Sequence, residues 1–248
     1  MNNRFHVIIP ARLEATRLPR KPLVDLGGQP LILRVLDRAR ACGALSVHVA
    51  TDSEEIAAVV ENGGGEVVMT SNEHRSGTDR LSEAAQLLGL ADDAVVVNLQ
   101  GDEPDMPPAC VQQVSRLLQN HSGASMATLW WPIDNESDWR DPNVVKLVAD
   151  HAGRALYFSR APIPHVRSGN WPNETACRHI GLYAYRAGAL AAWSSLEASR
   201  LEALESLEQL RALDAGWTIV CQKAVEPVPP GIDTPDDVDR FIQRVKHT

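Results

Sequence analysis

The stretch Ala-Val-Val-Val-Asn-Leu-Gln-Gly-Asp, residues 94–102, decides the fold of this 248-residue chain. Its first six residues form an apolar run, which is typical of a strand buried on both faces of a parallel sheet. The run stops sharply at Gln100, Gly101 and Asp102, so polar groups follow directly on the carboxyl end of the strand. Because open parallel sheets bind ligands at that end, we expect functional residues just after the strands.

The same pattern recurs on the N-terminal side of this stretch. Apolar strands are predicted at 5–10, 46–50 and 66–70. Helices with apolar residues at helical spacing are predicted at 30–43, from 53 up to the glycines at 63–65, and at 78–88. This alternation predicts βαβ units, and therefore a doubly wound α/β domain with a mostly parallel sheet over the first 120 residues.

The remainder of the chain is predicted to be richer in strands. These lie at 125–131, 144–149, 155–159, 180–185 and 218–223, with a helix at 198–213 and a final helix at 235–245. No linker interrupts the sequence, so we predict one domain over 1–248 with an inserted β-rich section at about 125–190. We assign the leucine stripe of the 198–213 helix to the core. The aromatic residues Trp130, Trp131 and Trp139 are assigned to the core or to a subunit interface.

Composition excludes several classes of protein. The chain has 24 Lys and Arg against 32 Asp and Glu, a formal net charge of −8, which argues against a general nucleic-acid binder. Its four cysteines are far apart and form no C-x-x-C pair, which fits thiols in a reducing compartment. The apolar run before Pro10 is too short for a signal peptide or a membrane span, so we expect a cytoplasmic protein without a membrane partner.

Two features after the predicted strands point to phosphate and metal chemistry. The loop at 11–22 carries four cations, of which Arg12, Arg17 and Lys21 suit a polyphosphate clamp, although it matches neither a Walker loop nor a dinucleotide fingerprint. Asp102 follows a buried strand, where a carboxylate suits Mg²⁺. The alternatives are a solvated basic loop and a turn-forming aspartate.

Seven blocks of the sequence, in order, resemble the 3-deoxy-manno-octulosonate cytidylyltransferases, also called CMP-Kdo synthetases. They are ARLEATRLPRKP (11–22), HRSGTDR (74–80), NLQGDEP (98–104), ALYFSR (155–160), RHIGLY (178–183), ESLEQLR (205–211) and IDTPDD (232–237). The resemblance covers essentially the whole chain. It implies a nucleotidyltransferase α/β fold with a small dimerisation section, a homodimer, and the transfer of CMP from CTP to the sugar acid Kdo with release of pyrophosphate, for lipopolysaccharide synthesis.

The resemblance also implies roles for individual residues. Mg²⁺ would be held by Asp102 and Asp233, and the triphosphate by Arg12, Arg17 and Lys21. Further substrate contacts are implied for Ser76, Gly77, Arg80 and Gln100, of which Ser76 and Gly77 would read cytosine. The acceptor pocket would be formed by Arg160, His179, Tyr183, Glu208 and Gln209.

Simpler interpretations exist for several of these residues. Asp233 precedes Thr-Pro, a common helix start, and Ser76 is a suitable cap for the helix that begins near Thr78. Arg80 has Glu83 at helical spacing. His179 in a strand is compatible with a structural role, and Glu208 lies on a Glu-rich helix where side chains are usually solvated.

One residue departs from the family pattern. The family usually carries Gly directly before the loop lysine, and Arg20 occupies that position here. If the backbone has a positive φ there, Arg20 is strained; otherwise it adds a cation near the phosphates.

The expected mechanism is an in-line displacement in which the anomeric hydroxyl of Kdo attacks the α-phosphorus of CTP. Three other functions compete with it. A cytidylyltransferase with another acceptor, such as a sialic acid or an amino-modified Kdo, differs only in the acceptor pocket. A nucleotide sensor would not need both metal carboxylates or the Arg160–His179 set, and a dimeric scaffold leaves the cationic loop unexplained.

Overall fold

The computed structural model describes residues 4–14, 17–74, 76–173 and 175–246. Its strands are β1 (His6–Ala11), β2 (Ser46–Thr51), β3 (Glu66–Met69), β4 (Val95–Asn98), β5 (Met126–Pro132), β6 (Lys146–Ala149), β7 (Ala155–Ser159), β8 (Cys177–Arg186) and β9 (Ile219–Lys223). Its α-helices are α1 (Leu31–Arg40), α2 (Glu54–Asn62), α3 (Gly77–Leu87), α4 (Pro108–Gln119), α5 (Glu136–Arg140), α6 (Ala187–Trp193), α7 (Arg200–Glu205), α8 (Gln209–Asp214) and α9 (Pro235–Lys246).

The N-terminal half has the predicted alternation of strands and helices. The strands β3, β2, β1 and β4 lie side by side and are all parallel. Ser53 caps α2, since its Oγ accepts a hydrogen bond from the Ile56 N–H at 3.3 Å. The doubly wound α/β prediction is therefore confirmed, and the carboxyl ends of β1 and β4 lie next to each other.

The central sheet continues into the second half in the order β3-β2-β1-β4-β8-β5-β9. Only β8 runs against its neighbours, because it pairs antiparallel with both β4 and β5, while β9 is parallel to β5. The section at 125–190 thus supplies two strands of this sheet. Its other two strands, β6 and β7, form an antiparallel pair beside the main path.

Apolar side chains cover both faces of the sheet. Val95 and Val97 of β4 belong to one core cluster and Val96 to the other, as the period of a strand requires. Trp139 is buried in a small third cluster, while Trp130 and Trp131 are partly buried against the two large ones. These contacts agree with the core assignment of the three tryptophans. Within the described ranges, no helix is long and apolar enough to cross a membrane.

The single helix predicted at 198–213 is wrong. Two short helices, α7 and α8, are separated by Ser206, which has a φ of 52°. The Arg160 guanidinium accounts for the break, since it takes up the backbone carbonyls of Glu205 and Ser206 that would otherwise continue the helix. The leucine stripe is divided as well: Leu207 and Leu210 are buried, but Leu204 is exposed. The structure also adds α4, α5 and α6 to the predicted helices.

Candidate active site

The cationic loop, the 74–80 segment and the 100–102 turn surround a cavity of about 410 Å³ at the carboxyl ends of β1 and β4. Glu208 and Asp233 complete its lining from the C-terminal part of the chain. The cavity therefore lies where a parallel sheet is expected to bind a ligand. The described residues that line it are Pro10, Ala11, Arg12, Glu14, Arg17, Leu18, Lys21, Pro22, His74, Ser76, Gly77, Arg80, Gln100, Gly101, Asp102, Glu208 and Asp233.

Two glycines let the backbone segments of the site approach each other closely. A Cβ atom on Gly101 would lie 2.8 Å from the Pro10 carbonyl oxygen, and one on Gly231 would lie 3.0 Å from the Asp102 carbonyl oxygen. The Ile232 N–H donates to that same Asp102 carbonyl at 2.8 Å. This bond joins the C-terminal segment to the end of β4, so it brings Asp233 next to Asp102.

Lys21 connects the two carboxylates. Its Nζ donates to Asp102 Oδ2 at 2.6 Å and to Asp233 Oδ1 at 2.8 Å. Burial alone lowers the pKa of Lys21, but the attraction of Asp102 and the hydrogen bonds to both carboxylates outweigh burial and raise that pKa above its ordinary value. Lys21 is therefore a charged ammonium at neutral pH.

The two arginines of the loop are more open to solvent. Arg17 Nη2 lies 3.1 Å from Asp233 Oδ1, with 68% of the arginine side chain exposed. Arg12 is exposed at the edge of the cavity. Because the loop surrounds the cavity, the structure brings the predicted cations and carboxylates together. Ala15 and Thr16 of the same loop lie outside the described residues.

The carboxylate pair suits one kind of metal in particular. In the part of the chain that is described, no group of three or more His, Cys, Asp or Glu side chains forms a metal site. Mg²⁺ is nevertheless usually bound by one or two carboxylates together with substrate phosphates and water. Asp102 and Asp233 beside a cationic loop fit such a shared site, and they do not fit an all-protein cage.

Helix capping does not explain Asp233. Across the first turn of α9, the Thr234 Oγ1 accepts from the Asp237 N–H at 3.3 Å, and Asp237 Oδ2 accepts from the Thr234 N–H at 2.8 Å. These two residues form a reciprocal cap in the manner of a capping box. The Asp233 carboxylate is directed to Lys21 and Arg17 instead.

Sequence reasoning missed Glu103 as a site residue. Its Oε2 atom is buried and has no hydrogen-bond partner among the described residues. Burial, and then the charge of Asp102, raise the pKa of Glu103 to about 8. Its position directly after Asp102 in the 98–104 block was the available signal. The residue places a third acidic group behind the carboxylate pair.

Ser76 and Gly77 lie at the start of α3 and line the cavity. The Ser76 Oγ accepts from the Asp79 N–H at 3.1 Å and donates to Asp79 Oδ2 at 3.0 Å, so the capping role is realised. Capping is compatible with a ligand contact, because the backbone at a helix N-terminus still offers free N–H groups. Arg75 of the same segment lies outside the described residues.

Arg80 is held by the protein itself. Its guanidinium is buried and donates to Asp52 Oδ2 at 2.9 Å and to Thr70 Oγ1 at 2.6 Å. The alternative pairing with Glu83 is not formed, since Glu83 instead accepts from the Ser71 N–H and lies 2.5 Å from His74 Nε2. Arg80 thus ties the end of β2 to α3 at the wall of the cavity.

Glu208 contacts the first turn of α3 and is partly buried, so a solvated role for it is wrong. Its Oε2 accepts from Thr78 Oγ1 at 2.7 Å, and burial raises its pKa. Gln100 lines the same cavity. Gln209 is buried, and its Nε2 finds no partner in the described part of the chain.

Four of the five predicted acceptor residues lie outside the cavity lining, namely Arg160, His179, Tyr183 and the buried Gln209. His179 packs edge-on against Phe158 with ring centroids 5.0 Å apart, and its Nε2 is 3.1 Å from Thr128 Oγ1. Tyr183 is buried beside it, with ring centroids 5.2 Å apart. Burial lowers the pKa of His179 to about 3, so the imidazole is neutral. Arg160 donates to the backbone carbonyls of Pro142, Glu205 and Ser206.

Arg20 has the left-handed backbone that its family position suggests, with φ 57° and ψ 31°. Its guanidinium forms an ion pair with Glu55 at the N-terminus of α2, and its side chain is 58% exposed. Arg20 is therefore strained, and its cation is paired with a helix rather than with the carboxylates of the site.

Three comparisons with known proteins agree. A family model described as a cytidylyltransferase matches residues 6–220. The 3-deoxy-manno-octulosonate cytidylyltransferase of Polynucleobacter necessarius subsp. necessarius (strain STIR1) is 50% identical over 96% of this chain and 94% of that protein. The protein of the same name from Xanthomonas euvesicatoria pv. vesicatoria (strain 85-10) is 52% identical over 97% and 96%. The solved structure of a CMP:2-keto-3-deoxy-manno-octonic acid synthetase complexed with CTP superposes with a TM-score of 0.91 at 38% identity and covers 98% of both chains.

Proposed function

Since this chain belongs to the cytidylyltransferase family, we propose that the cavity at the carboxyl ends of β1 and β4 is its active site. The chain is a nucleotidyltransferase that transfers CMP from CTP to Kdo and releases pyrophosphate, a reaction of lipopolysaccharide synthesis. The observation that carries the assignment of the site is the junction of Lys21 with Asp102 and Asp233 inside the cavity.

The reaction is an in-line displacement at phosphorus. The anomeric hydroxyl of Kdo forms a new P–O bond to the α-phosphorus of CTP, the bond to the β-phosphate oxygen breaks, and pyrophosphate leaves with that electron pair. The hydroxyl proton passes to solvent. Positioning and charge stabilisation dominate such a reaction, which suits a site built from cations and carboxylates.

Cations of the loop bind the triphosphate in this proposal. Lys21 and Arg17 neutralise the charge that develops on the leaving pyrophosphate, and Arg12 contacts the outer phosphates from the exposed edge. Asp102 and Asp233 would hold Mg²⁺ together with the bound triphosphate. When bound, that ion offsets the repulsion between the triphosphate and the sugar carboxylate and lowers the pKa of the attacking hydroxyl.

Two groups of residues bind the rest of the substrates. Ser76 and Gly77 bind cytosine through hydroxyl and backbone groups at the start of α3, beside Arg80, while Gln100 contacts the substrates from the end of β4. Glu208 forms the acceptor wall inside the cavity, and the buried Gln209 and Tyr183 and the partly exposed His179 extend it beyond the cavity lining. Arg160 binds the Kdo carboxylate by exchanging one of its backbone carbonyl partners for that ligand.

We also propose that the enzyme is a cytoplasmic homodimer. Its four cysteines are unpaired, which fits a reducing compartment. The β6–β7 pair of the inserted section lies beside the main sheet, and we propose this section as the subunit contact because the family resemblance implies a small dimerisation section. Light scattering on the protein as it elutes from a size-exclusion column is expected to give twice the mass of one chain. The mass of a single chain would contradict the dimer.

Pyrophosphate release tests the proposed function directly. The purified protein is mixed with CTP and Mg²⁺, with Kdo present or omitted, and the other nucleoside triphosphates and a sialic acid are tested in parallel. Release is expected only with CTP and Kdo together. Release with a different sugar acid would overturn the acceptor wall but keep the metal site. CTP binding without release for any acceptor would instead indicate a nucleotide sensor.

A further inference from the structure

The arrangement around Lys21 bears on how the site takes up its metal. The Lys21 Nζ bonds one oxygen of Asp102 and one of Asp233, at 2.6 and 2.8 Å, and only 14% of the lysine side chain is exposed. These are the two carboxylates proposed to hold Mg²⁺. We infer that Lys21 and a divalent cation compete for them, so that the site takes up the metal only when a nucleoside triphosphate gives Lys21 new partners. The inference rests on the proposed metal role of Asp102 and Asp233.

The backbone keeps Lys21 in this position. Lys21 opens a short 3-10 turn, in which the Val24 N–H donates to the Lys21 carbonyl at 3.2 Å and the Leu23 N–H to the Arg20 carbonyl at 2.9 Å. Pro22 is buried behind it. The backbone at Lys21 is therefore fixed, and its side chain is only 14% exposed, so the ammonium bonds the carboxylates at a smaller entropy cost than a mobile surface lysine incurs.

Arg17 does not substitute for Lys21 in this respect. It contacts Asp233 alone, at 3.1 Å, and most of its side chain is in solvent, where its charge is screened. Lys21 is thus the cation that joins both carboxylates among the described residues. A divalent ion binding the same pair would stand next to a largely buried like charge, and that repulsion weakens its binding.

A bound triphosphate relieves the competition between Lys21 and the divalent ion, because it offers new partners to both of them. Its oxygens accept the N–H groups of Lys21, and they also supply ligands to the metal. Arg12, exposed at the edge of the cavity, offers the phosphates an entry contact that does not disturb the carboxylates. Nucleotide and metal binding are then positively coupled, and Lys21 carries the coupling.

Binding of Mn²⁺ without nucleotide tests the inference, because it does not depend on activity. Free Mn²⁺ is measured by its electron paramagnetic resonance signal during titration of the wild-type protein and of Lys21→Met. The variant removes the ammonium but keeps most of the stem. It is expected to bind Mn²⁺ at least about tenfold more tightly than the wild type, because two neighbouring carboxylates are left without their shared cation.

Three further variants make the result specific. Lys21→Arg retains a cation and is expected to keep the weak affinity of the wild type. Arg17→Gln removes a cation that contacts one carboxylate only, so its affinity is expected to change less than about threefold. Lys21→Gln repeats the neutral substitution in case Lys21→Met does not fold, as judged by circular dichroism.

The contrary results separate the inference from the proposed function. If Asp102→Asn weakens Mn²⁺ binding while folded Lys21→Met binds no more tightly than wild type, the carboxylates hold metal but Lys21 does not compete. If adding Asp102→Asn or Asp233→Asn to Lys21→Met leaves its Mn²⁺ affinity unchanged, the metal site itself is misassigned, and the inference fails with it.

Discussion

The backbone of Asp102 fixes the position of the residue, and its side chain makes the contact within the site. Its carbonyl accepts the Ile232 N–H at 2.8 Å, while its carboxylate accepts from Lys21 at 2.6 Å. The backbone bond is independent of the side chain, so substitution of the carboxylate leaves the geometry of the segment in place. A substitution of the Asp102 side chain therefore tests the role of the carboxylate without disturbing the fold around it.

Asp102→Asn is expected to lower kcat by at least about a hundredfold, because a neutral amide holds Mg²⁺ poorly and no longer pairs with Lys21. Pyrophosphate release is measured over a Mg²⁺ titration, with Asp105→Asn as the control, since Asp105 is paired with Arg244 away from the cavity. Near-normal turnover of Asp102→Asn at high Mg²⁺ would contradict the metal role.

Arg20→Gly is expected to stabilise the protein by about 1 kcal/mol, because glycine adopts a φ of 57° without the steric cost that a Cβ imposes. Urea denaturation gives the free energy of unfolding. Arg20→Ala is the matched control, since it also removes the ion pair with Glu55 but keeps the Cβ atom. Equal stability of the Gly and Ala variants would show that the backbone is not strained there.

The sequence predicted the parallel strands of the first half well, but it did not predict the break between α7 and α8. The parallel strands of the first half were predictable, because a near-continuous apolar run followed by polar residues is a local pattern. The break between α7 and α8 was not, because Arg160 causes it from 45 positions away by bonding the Glu205 carbonyl. Side chains that follow the strands, such as Asp102 after β4 and Lys21 in the loop after β1, were likewise found. The partners of Arg80 and Arg160 were not, because they depend on distant contacts.

Asp237→Ala is expected to destabilise the first turn of α9, by about 1 kcal/mol in the free energy of unfolding, and to lower activity through Asp233. The Asp237 carboxylate accepts from the N–H groups of Asp233 and Thr234, at 3.0 and 2.8 Å. Its loss frees the backbone that carries the Asp233 carboxylate. Urea denaturation and pyrophosphate release are measured together.

Asp236→Ala is the control for Asp237→Ala, since it removes a neighbouring acidic residue of the same turn. If both variants unfold at the same urea concentration and keep equal activity, Asp237 does not support the site.

The sheet as a whole explains why residues distant in sequence act together. β8 lies between β4 and β5, so Tyr183 pairs with Asn98 at the end of β4, while His179 pairs with Trp130 of β5. The reversed direction of β8 was not predictable from its own residues, since an apolar strand reads alike in either direction. Burial of His179 on this strand also makes the free energy of unfolding depend on pH.

The free energy of unfolding is expected to be lower at pH 5 than at pH 7 because of His179. Burial lowers its pKa to about 3 in the folded state, against about 6.5 when unfolded. Between these two pKa values, His179 is therefore protonated in the unfolded state and neutral in the folded state. The stability that this histidine contributes is present above pH 6.5 and is lost as the pH falls from 6.5 towards 3, by about 2 kcal/mol at pH 5.

The variant His179→Gln has no such proton to bind and can still bond Thr128. Its free energy of unfolding in urea is expected to fall less than that of the wild type between pH 7 and pH 5. An equal fall in both proteins would show that His179 is not the group responsible.

The bond from Ile232 to Asp102 has a consequence for the order in which this enzyme is made. All nine strands precede residue 224, whereas Asp233 and its capped helix follow. Synthesis runs from the N-terminus, so the cationic loop and the nine described strands are all added to the chain before Asp233. With the metal role proposed for Asp233, a nascent chain that stops short of this residue is expected to lack catalytic competence and to leave nucleotide unconsumed.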